Sequence, residues 1–303
     1  MLKMADIFKV TAFALSLCWS GLASSQAVNQ VTIDTPLGHS PLGALVATPT
    51  TTPSAISAVQ IKPIHHSLRV TLDPFNQSLI VEDTITFPDT TSPADIKFSL
   101  NANLAITNNS GTLSQLPAST PLRGIGINNT GSQSADFNNY SLRLTRSSRN
   151  QVSLIYSGTV YDLAEQESAE YAQSFADTSG IIGEQGVYLN KGSLWIPDFG
   201  NEFITFDLQV EFEGLAASWT AVSQGDRSGE NGWRSNDPME EVYLIAADFT
   251  EYATEYNDID VLAYLRTPDK NLATKYLDAT ERYLALYEPL LGDYPYGKFA
   301  LIE

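Results

Sequence analysis

The side chains most able to do chemistry are scarce in this sequence. Among 303 residues it holds three histidines, His39, His65 and His66, and a single cysteine, Cys18. A disulfide framework and a cysteine-ligated zinc site are therefore excluded, and any metal site or catalytic triad has to use one of these histidines or none. The sequence also lacks an H-E-x-x-H helix motif for two zinc-binding histidines, a G-x-S-x-G nucleophile elbow and a P-loop.

The remaining titratable side chains form no recognisable site. His65 and His66 lie at the start of a predicted strand, where adjacent side chains point to opposite faces, so the two cannot easily share a metal and a structural or solvated role is expected. Glu165, Glu167 and Glu170 cluster in a helical-looking stretch that is typical of a solvated face. Because no carboxylate pair can be given a separation, acid–base catalysis is not predicted.

Charge and composition exclude some classes of partner and indicate a folded protein. The formal net charge is −18, which argues against a nucleic-acid partner and against electrostatic attachment to anionic membranes. Hydrophobic residues make up 43% of the chain, enough for a packed core.

The first 60 residues have the composition of a targeting segment followed by a linker. Residues 1–27 have a positive start at Lys3 and Lys9, a short apolar run and small residues at Ser25 and Ala27, which is typical of a secretory signal peptide cleaved after Ala27. An uncleaved membrane anchor is the alternative, although the apolar run is short for a span. Residues 28–60 are rich in Thr, Pro and Ser and read as a linker. We therefore expect a secreted or periplasmic protein, with no membrane association beyond the signal peptide.

Residues 61–266 follow the two-residue period of β-strands. Apolar residues alternate with polar ones around a turn at 73–77, although Asp83 interrupts the second strand, and a hairpin with one wet face is predicted. The Asn231-Gly232 pair predicts a second hairpin between 219–223 and 233–235. Polar residues from 99 to 139 indicate long loops. A mainly β fold follows, either a β-sandwich or an open, curved antiparallel sheet. Further strands are predicted at 96–100, 140–144, 152–156, 204–212, 241–246 and 259–265.

The pattern changes at Thr267, which fits an N-cap followed by Pro268 at the first helical position. Apolar residues then recur every three or four positions until Gly292, and a strand starts at Lys298. This helix either packs back on the β-rich region, or a second domain begins at residue 267.

Several segments together resemble the gluzincin aminopeptidases, the family of the alanyl aminopeptidases and leukotriene A-type hydrolases. The segments 65–72 and 84–87 resemble the start of that family's saddle-shaped N-terminal β-domain, and 186–189, 193–197, 206–213, 220–225 and 241–246 resemble later parts of it. The most specific match is near the end of the chain, at 275–277, 287–288 and 291–303, the last of which reads Leu-Gly-Asp-Tyr-Pro-Tyr-Gly-Lys-Phe-Ala-Leu-Ile-Glu.

The resemblance implies a saddle-like β-domain at 61–266 and, at 267–303, the first helix and strand of an α/β or α+β catalytic domain. In the family the zinc-binding H-E-x-x-H helix, a second zinc-binding glutamate and a tyrosine follow later, and none is present here. The resemblance therefore implies no cofactor, metal ligand or catalytic residue in this chain, but zinc in a longer parent protein with a peptide substrate. Tyr188, Asn190 and Glu303 are the candidates for the edge of a substrate cleft.

The functional expectation is an N-terminal fragment, inactive alone, of a secreted zinc aminopeptidase-like protein that hydrolyses N-terminal peptide bonds with zinc-activated water. One alternative is a complete secreted β-sandwich module for a carbohydrate or protein ligand. In that case Trp195, Trp219 and Trp233 form a stacking face rather than a core. Another is a catalytically inactive interaction protein that binds a partner at a sheet edge.

Overall fold

The structure, a computed structural model, describes residues 62–89, 96–117, 135–144, 150–162, 178–200 and 202–303. The predicted signal peptide and linker (1–60), His39, Cys18 and the acidic group Glu165, Glu167 and Glu170 lie outside these ranges.

Strands dominate the described residues, and the predicted mainly β fold is confirmed. Besides two short 3-10 helices at Lys191–Ser193 and Gly214–Ala216, the elements in chain order are β1 (Ile64–Asp73), β2 (Ser78–Thr86), β3 (Ile96–Asn101), β4 (Leu104–Asn109), β5 (Thr112–Gln115), β6 (Phe137–Arg143), β7 (Gln151–Thr159), β8 (Ile181–Gly183), β9 (Gly186–Leu189), β10 (Ile204–Phe212), β11 (Thr220–Val222), β12 (Asp226–Arg227), β13 (Gly232–Met239), β14 (Leu244–Ala247), β15 (Thr250–Tyr256), β16 (Ile259–Leu265), α1 (Lys270–Leu291) and β17 (Lys298–Ile302).

The largest sheet has seven strands in the order β12-β13-β10-β1-β2-β7-β4. Its strands alternate buried and exposed residues, because one face packs on the core and the other meets water. Most neighbours are antiparallel, as expected, but β1 and β10 run parallel over their whole length, from Ile64 opposite Ile204 to Leu72 opposite Phe212. Two smaller sheets, β11-β14-β9-β8 and β3-β6-β5, contribute buried residues to the same core.

The end of the chain forms a third small sheet, β15-β16-β17, against which α1 packs. The strand β17 runs parallel to β16 and lies at the sheet edge. Ala273, Leu277 and Leu284 of α1 are buried on the face that meets β16. Farther along the helix Tyr283, Leu286, Tyr287, Leu290 and Leu291 are exposed, so only part of its apolar surface is covered within the described residues.

Three expectations need correction. The N-cap of α1 is Asp269 rather than Thr267, because the Asp269 carboxylate accepts the free amide N–H groups of Asn271 and Leu272. The Asn231-Gly232 turn leads into a hairpin between β12 and β13, whereas β11 pairs with β14 in another sheet. The stretch from 99 to 139 contains β4, β5 and the start of β6 where long loops were expected.

No helix among the described residues combines the length and the apolar character that crossing a bilayer requires.

Candidate functional site

Tyr188 and Asn190, two of the three predicted cleft residues, lie side by side where β9 ends. The Asn190 side-chain amide donates to the Tyr188 hydroxyl at 3.2 Å. Its amide oxygen accepts the Ser193 backbone N–H at 3.2 Å and so caps the short 3-10 helix Lys191–Ser193. Asn190 is therefore engaged in local structure at both ends of its amide, and Tyr188 is half-buried beside the ring of Tyr243.

A small cleft of about 30 Å³ opens next to Asn190. The Glu241 carboxylate accepts the Lys191 backbone N–H at 3.0 Å, and the Lys191 ammonium donates to the carbonyls of Gly200 and Glu240. Trp195, Ile196 and Pro197 form its apolar wall. The volume suits one or two water molecules rather than a peptide side chain.

Glu303, the third predicted residue, contacts Arg266, which in turn contacts the turn before β9. The Arg266 backbone N–H donates to the Glu303 carboxylate at 2.8 Å, and the Arg266 guanidinium donates to the Gln185 carbonyl, at the turn between β8 and β9. Gly186 follows this turn with a φ of +146°, a backbone conformation that favours glycine.

Two of the three residues lie at the end of β9, Tyr188 within the strand and Asn190 directly after it. Tyr188 and Asn190 contact each other directly, and Glu303 is linked to the start of β9 by Arg266. Their place at the edge of a substrate cleft stays a prediction.

The two adjacent histidines have separate environments. His66 is fully buried, and its Nδ1 lies 2.8 Å from Oδ2 of the equally buried Asp83. His65 is half-exposed on the opposite face, with Nε2 at 3.3 Å from Asp207. The described residues contain no cluster of three or more histidine, cysteine, aspartate or glutamate side chains that could hold a metal ion. A resident zinc ion therefore does not fit the side chains of this part of the chain.

The three tryptophans of the described residues belong to the core. Trp195 and Trp233 are almost completely inaccessible, and their indole N–H groups donate to the carbonyls of Val242 and Ala221 at 3.1 and 2.9 Å. Trp219 is buried as well. They provide no face for stacking on a carbohydrate, so the structure does not support that form of the alternative.

A cluster around Trp233 was missed by the sequence reasoning. The Lys298 ammonium lies 3.6 Å from the centre of the Trp233 ring, and the Arg227 guanidinium carbon lies 5.1 Å from it. Burial is the main cause that lowers the pKa of Lys298 to about 7, and the charge of Arg227 adds to it. No sequence signal could have revealed the cluster, because Lys298 is 65 positions from Trp233 along the chain.

No protein-family model and no curated protein matches the sequence. Solved structures do match. Yeast LTA4 hydrolase is 11% identical, with a TM-score of 0.50 over 79% of this chain and 37% of the yeast chain. Its complex with bestatin gives 10% identity and a TM-score of 0.51 over the same shares. An aminopeptidase N family protein from Idiomarina loihiensis is 14% identical, with a TM-score of 0.45 over 78% of this chain and 38% of its own.

The similarity to the yeast enzyme is one of fold, given its low identity. The matching part is the N-terminal region of the yeast enzyme, as the sequence resemblance predicted. The chain spans a little over a third of the length of the yeast enzyme.

Proposed function

We propose that this chain is the N-terminal part of an exported zinc aminopeptidase-like protein, whose full length hydrolyses N-terminal peptide bonds with zinc-activated water. In this proposal residues 61–266 are its β-rich domain, and residues 267–303 are the first helix and strand of its catalytic domain. The chain as given is inactive alone.

The fold shared with the N-terminal region of yeast LTA4 hydrolase carries the proposal. Two features of the structure agree with it. The strand β17 lies at a sheet edge, where a further strand could pair with it. Leu286 and Leu290 of α1 are both exposed and, four positions apart, lie on the same face of the helix, which leaves an apolar surface for further chain to cover.

The described side chains do not provide a set of zinc ligands. His66 is committed to Asp83, and His65 lies on the other face of the strand near Asp207. In the proposal the metal ligands belong to a longer polypeptide. Tyr188, Asn190 and Glu303 are proposed only as residues at the border of its substrate cleft.

The direct test is the coding sequence after the codon for Glu303. We expect the reading frame to continue and to encode H-E-x-x-H, with a later zinc-binding glutamate, within about a hundred residues. A stop codon at that point would overturn the proposal.

An activity assay should follow on two proteins, the present chain and the chain extended by its downstream sequence. With zinc, the extended protein should release 4-nitroaniline from an aminoacyl-4-nitroanilide, lose this activity to a chelator and regain it when zinc is restored. The present chain should show no turnover under any of these conditions. The matched control is the extended protein with the motif glutamate replaced by glutamine, which should bind zinc but not turn over substrate.

A further inference from the structure

Three buried polar side chains lie together on the core face of the largest sheet. Asp83 of β2 is opposite Leu68 of β1 and Leu154 of β7. His66 precedes Leu68 by two residues, and side chains two positions apart in a strand share a face. Tyr156 likewise follows Leu154 by two residues. Asp83 therefore lies between His66 and Tyr156, and each of them is its diagonal neighbour.

Bulk solvent does not reach this group. His66 and Tyr156 are 0% exposed and Asp83 is 1% exposed. Their polar atoms therefore have to be paired within the core, because burial removes their hydrogen bonds to bulk water.

Only one oxygen of the Asp83 carboxylate is paired. Oδ2 lies 2.8 Å from Nδ1 of His66. Oδ1 of Asp83 and the hydroxyl of Tyr156 have no hydrogen-bond partner among the residues that the structure describes. The carboxylate charge still acts on the phenol, since it adds to burial in raising the pKa of Tyr156. An acceptor and a donor thus lie near each other in the core without a direct hydrogen bond.

The second nitrogen of His66 is a separate case. An ionised carboxylate can only accept, so Nδ1 carries the imidazole proton and Nε2 is an acceptor. Nε2 is directed away from Asp83, because Nδ1 is the nitrogen that faces it, and the ring lies beside Phe199 with 6.0 Å between the ring centres. The point between Asp83 and Tyr156 therefore has two partners to offer, Oδ1 and the hydroxyl.

A water molecule matches these two partners. It can donate to a carboxylate oxygen and accept from a phenol hydroxyl at the same time. Buried waters typically pair polar groups that have no other partner, with roughly one such water per 27 residues in globular proteins. A metal ion does not match, because the described ranges contain no cluster of three or more histidine, cysteine, aspartate or glutamate side chains.

We propose that the core face of the largest sheet contains a binding site for one water molecule, which donates to Oδ1 of Asp83 and accepts from the hydroxyl of Tyr156. Leaving both groups unpaired costs their desolvation penalty, and the bound water removes that cost. The contacts then run without a break from His66 through Asp83 and the water to Tyr156. They join side chains of three neighbouring strands, β1, β2 and β7.

A crystal structure of the chain, at a resolution that shows ordered waters, is the direct test. We expect one isolated peak within hydrogen-bond distance of both Oδ1 of Asp83 and the hydroxyl of Tyr156. A direct hydrogen bond between the two side chains, or no density between them, would overturn the proposal. So would a peak with the several short oxygen contacts of a metal ion.

The sign of a stability change gives an independent test. Tyr156→Phe removes the hydroxyl and keeps the ring. If the hydroxyl binds the water, the variant loses a hydrogen bond and leaves the water with a single partner, so the urea midpoint should fall. An unpaired hydroxyl predicts a higher midpoint instead, because the variant no longer buries it.

Tyr161→Phe is the matched control. Tyr161 is 44% exposed, so its hydroxyl is open to solvent and the midpoint should stay at the wild-type value. A midpoint of Tyr156→Phe at or above the wild-type value contradicts the water site. Neither measurement involves peptidase activity, so the water site and the proposed function can fail separately.

Discussion

At the scale of single residues, the most unusual feature is the ionisable pair inside the largest sheet. His66 and Asp83 contact each other at 2.8 Å with no solvent exposure of either side chain. Nε2 of His66, Oδ1 of Asp83 and the hydroxyl of the buried Tyr156 have no hydrogen-bond partner in the structure. Burial and the nearby Asp83 charge raise the pKa of Tyr156, so its phenol stays protonated. Such a pair is costly to break, although an apolar replacement can be equally stable.

Replacing one partner tests this directly. Asp83→Ala leaves His66 buried without its partner and should lower the free energy of unfolding by about 3–5 kcal/mol. The double variant His66→Phe/Asp83→Val should recover most of that loss, because neither position then leaves an unpaired polar atom in the core. Urea unfolding of the three proteins measures both effects.

The control for this pair is Asp207→Ala, which removes the half-exposed contacts of Asp207 with His65 and with Arg234. A surface pair should contribute no more than about 1 kcal/mol. Equal losses at Asp83 and Asp207, or a double variant as unstable as the single one, would contradict the buried-pair interpretation.

The sequence predicted some of this site and could not predict the rest. The opposite orientations of His65 and His66 followed from the two-residue period of a strand. Asp83 was recognised only as an interruption in an apolar face. Its partner depends on the register across the turn at 74–77, which places Asp83 opposite Leu68 and so beside His66. For Lys298 the partners come from distant elements, so only the folded chain reveals them.

At the scale of elements, the sequence predicted most accurately the strands whose apolar residues alternate strictly. The strand Ile259–Leu265 and the strand Ile204–Phe212 were predicted with the bounds that the structure gives. The strand β15 was missed because its inward-facing residues are Thr and Tyr, which give no clear apolar alternation, and none of them is fully buried. Its place is fixed by pairing with β16, a tertiary contact that overrides local propensity.

The helix α1 offers a matched pair of leucines. Leu277 is buried against β16, whereas the side chain of Leu286, nine residues later, is 58% exposed. Leu277→Ala should lower the free energy of unfolding by about 2–4 kcal/mol, because it removes buried methyl groups and leaves a cavity. Leu286→Ala should change it by less than about 0.5 kcal/mol. Thermal unfolding followed by circular dichroism measures both, and a larger loss at Leu286 would show that its surface is covered in solution.

At the scale of the whole molecule, the fold class could be predicted from the sequence, but the order of the strands could not. Alternating strands and a late helix predicted a mainly β protein, and the predicted resemblance is confirmed as a likeness of fold to yeast LTA4 hydrolase. The parallel pairing of β1 with β10 joins residues 140 positions apart, such as His65 and Thr205. Nothing local in the sequence encodes a contact of that range, so the sheet order had to come from the structure.

The last prediction concerns the start of the chain, which lies outside the described residues. If residues 1–27 are a signal peptide, the exported protein should begin at Val28, within a few residues, and cleavage should remove Cys18 together with Lys3, Lys9 and Asp6. N-terminal sequencing and intact mass of protein recovered from the periplasm or medium of a bacterial host measure this. Deleting 1–27 should keep the protein in the cytoplasm, and replacing Ala27 with a bulky residue should block cleavage at that bond. Because the rest of the chain then has no cysteine, thiol labelling gives an independent readout. A secreted form that still reacts with a thiol reagent would contradict cleavage and favour the uncleaved anchor.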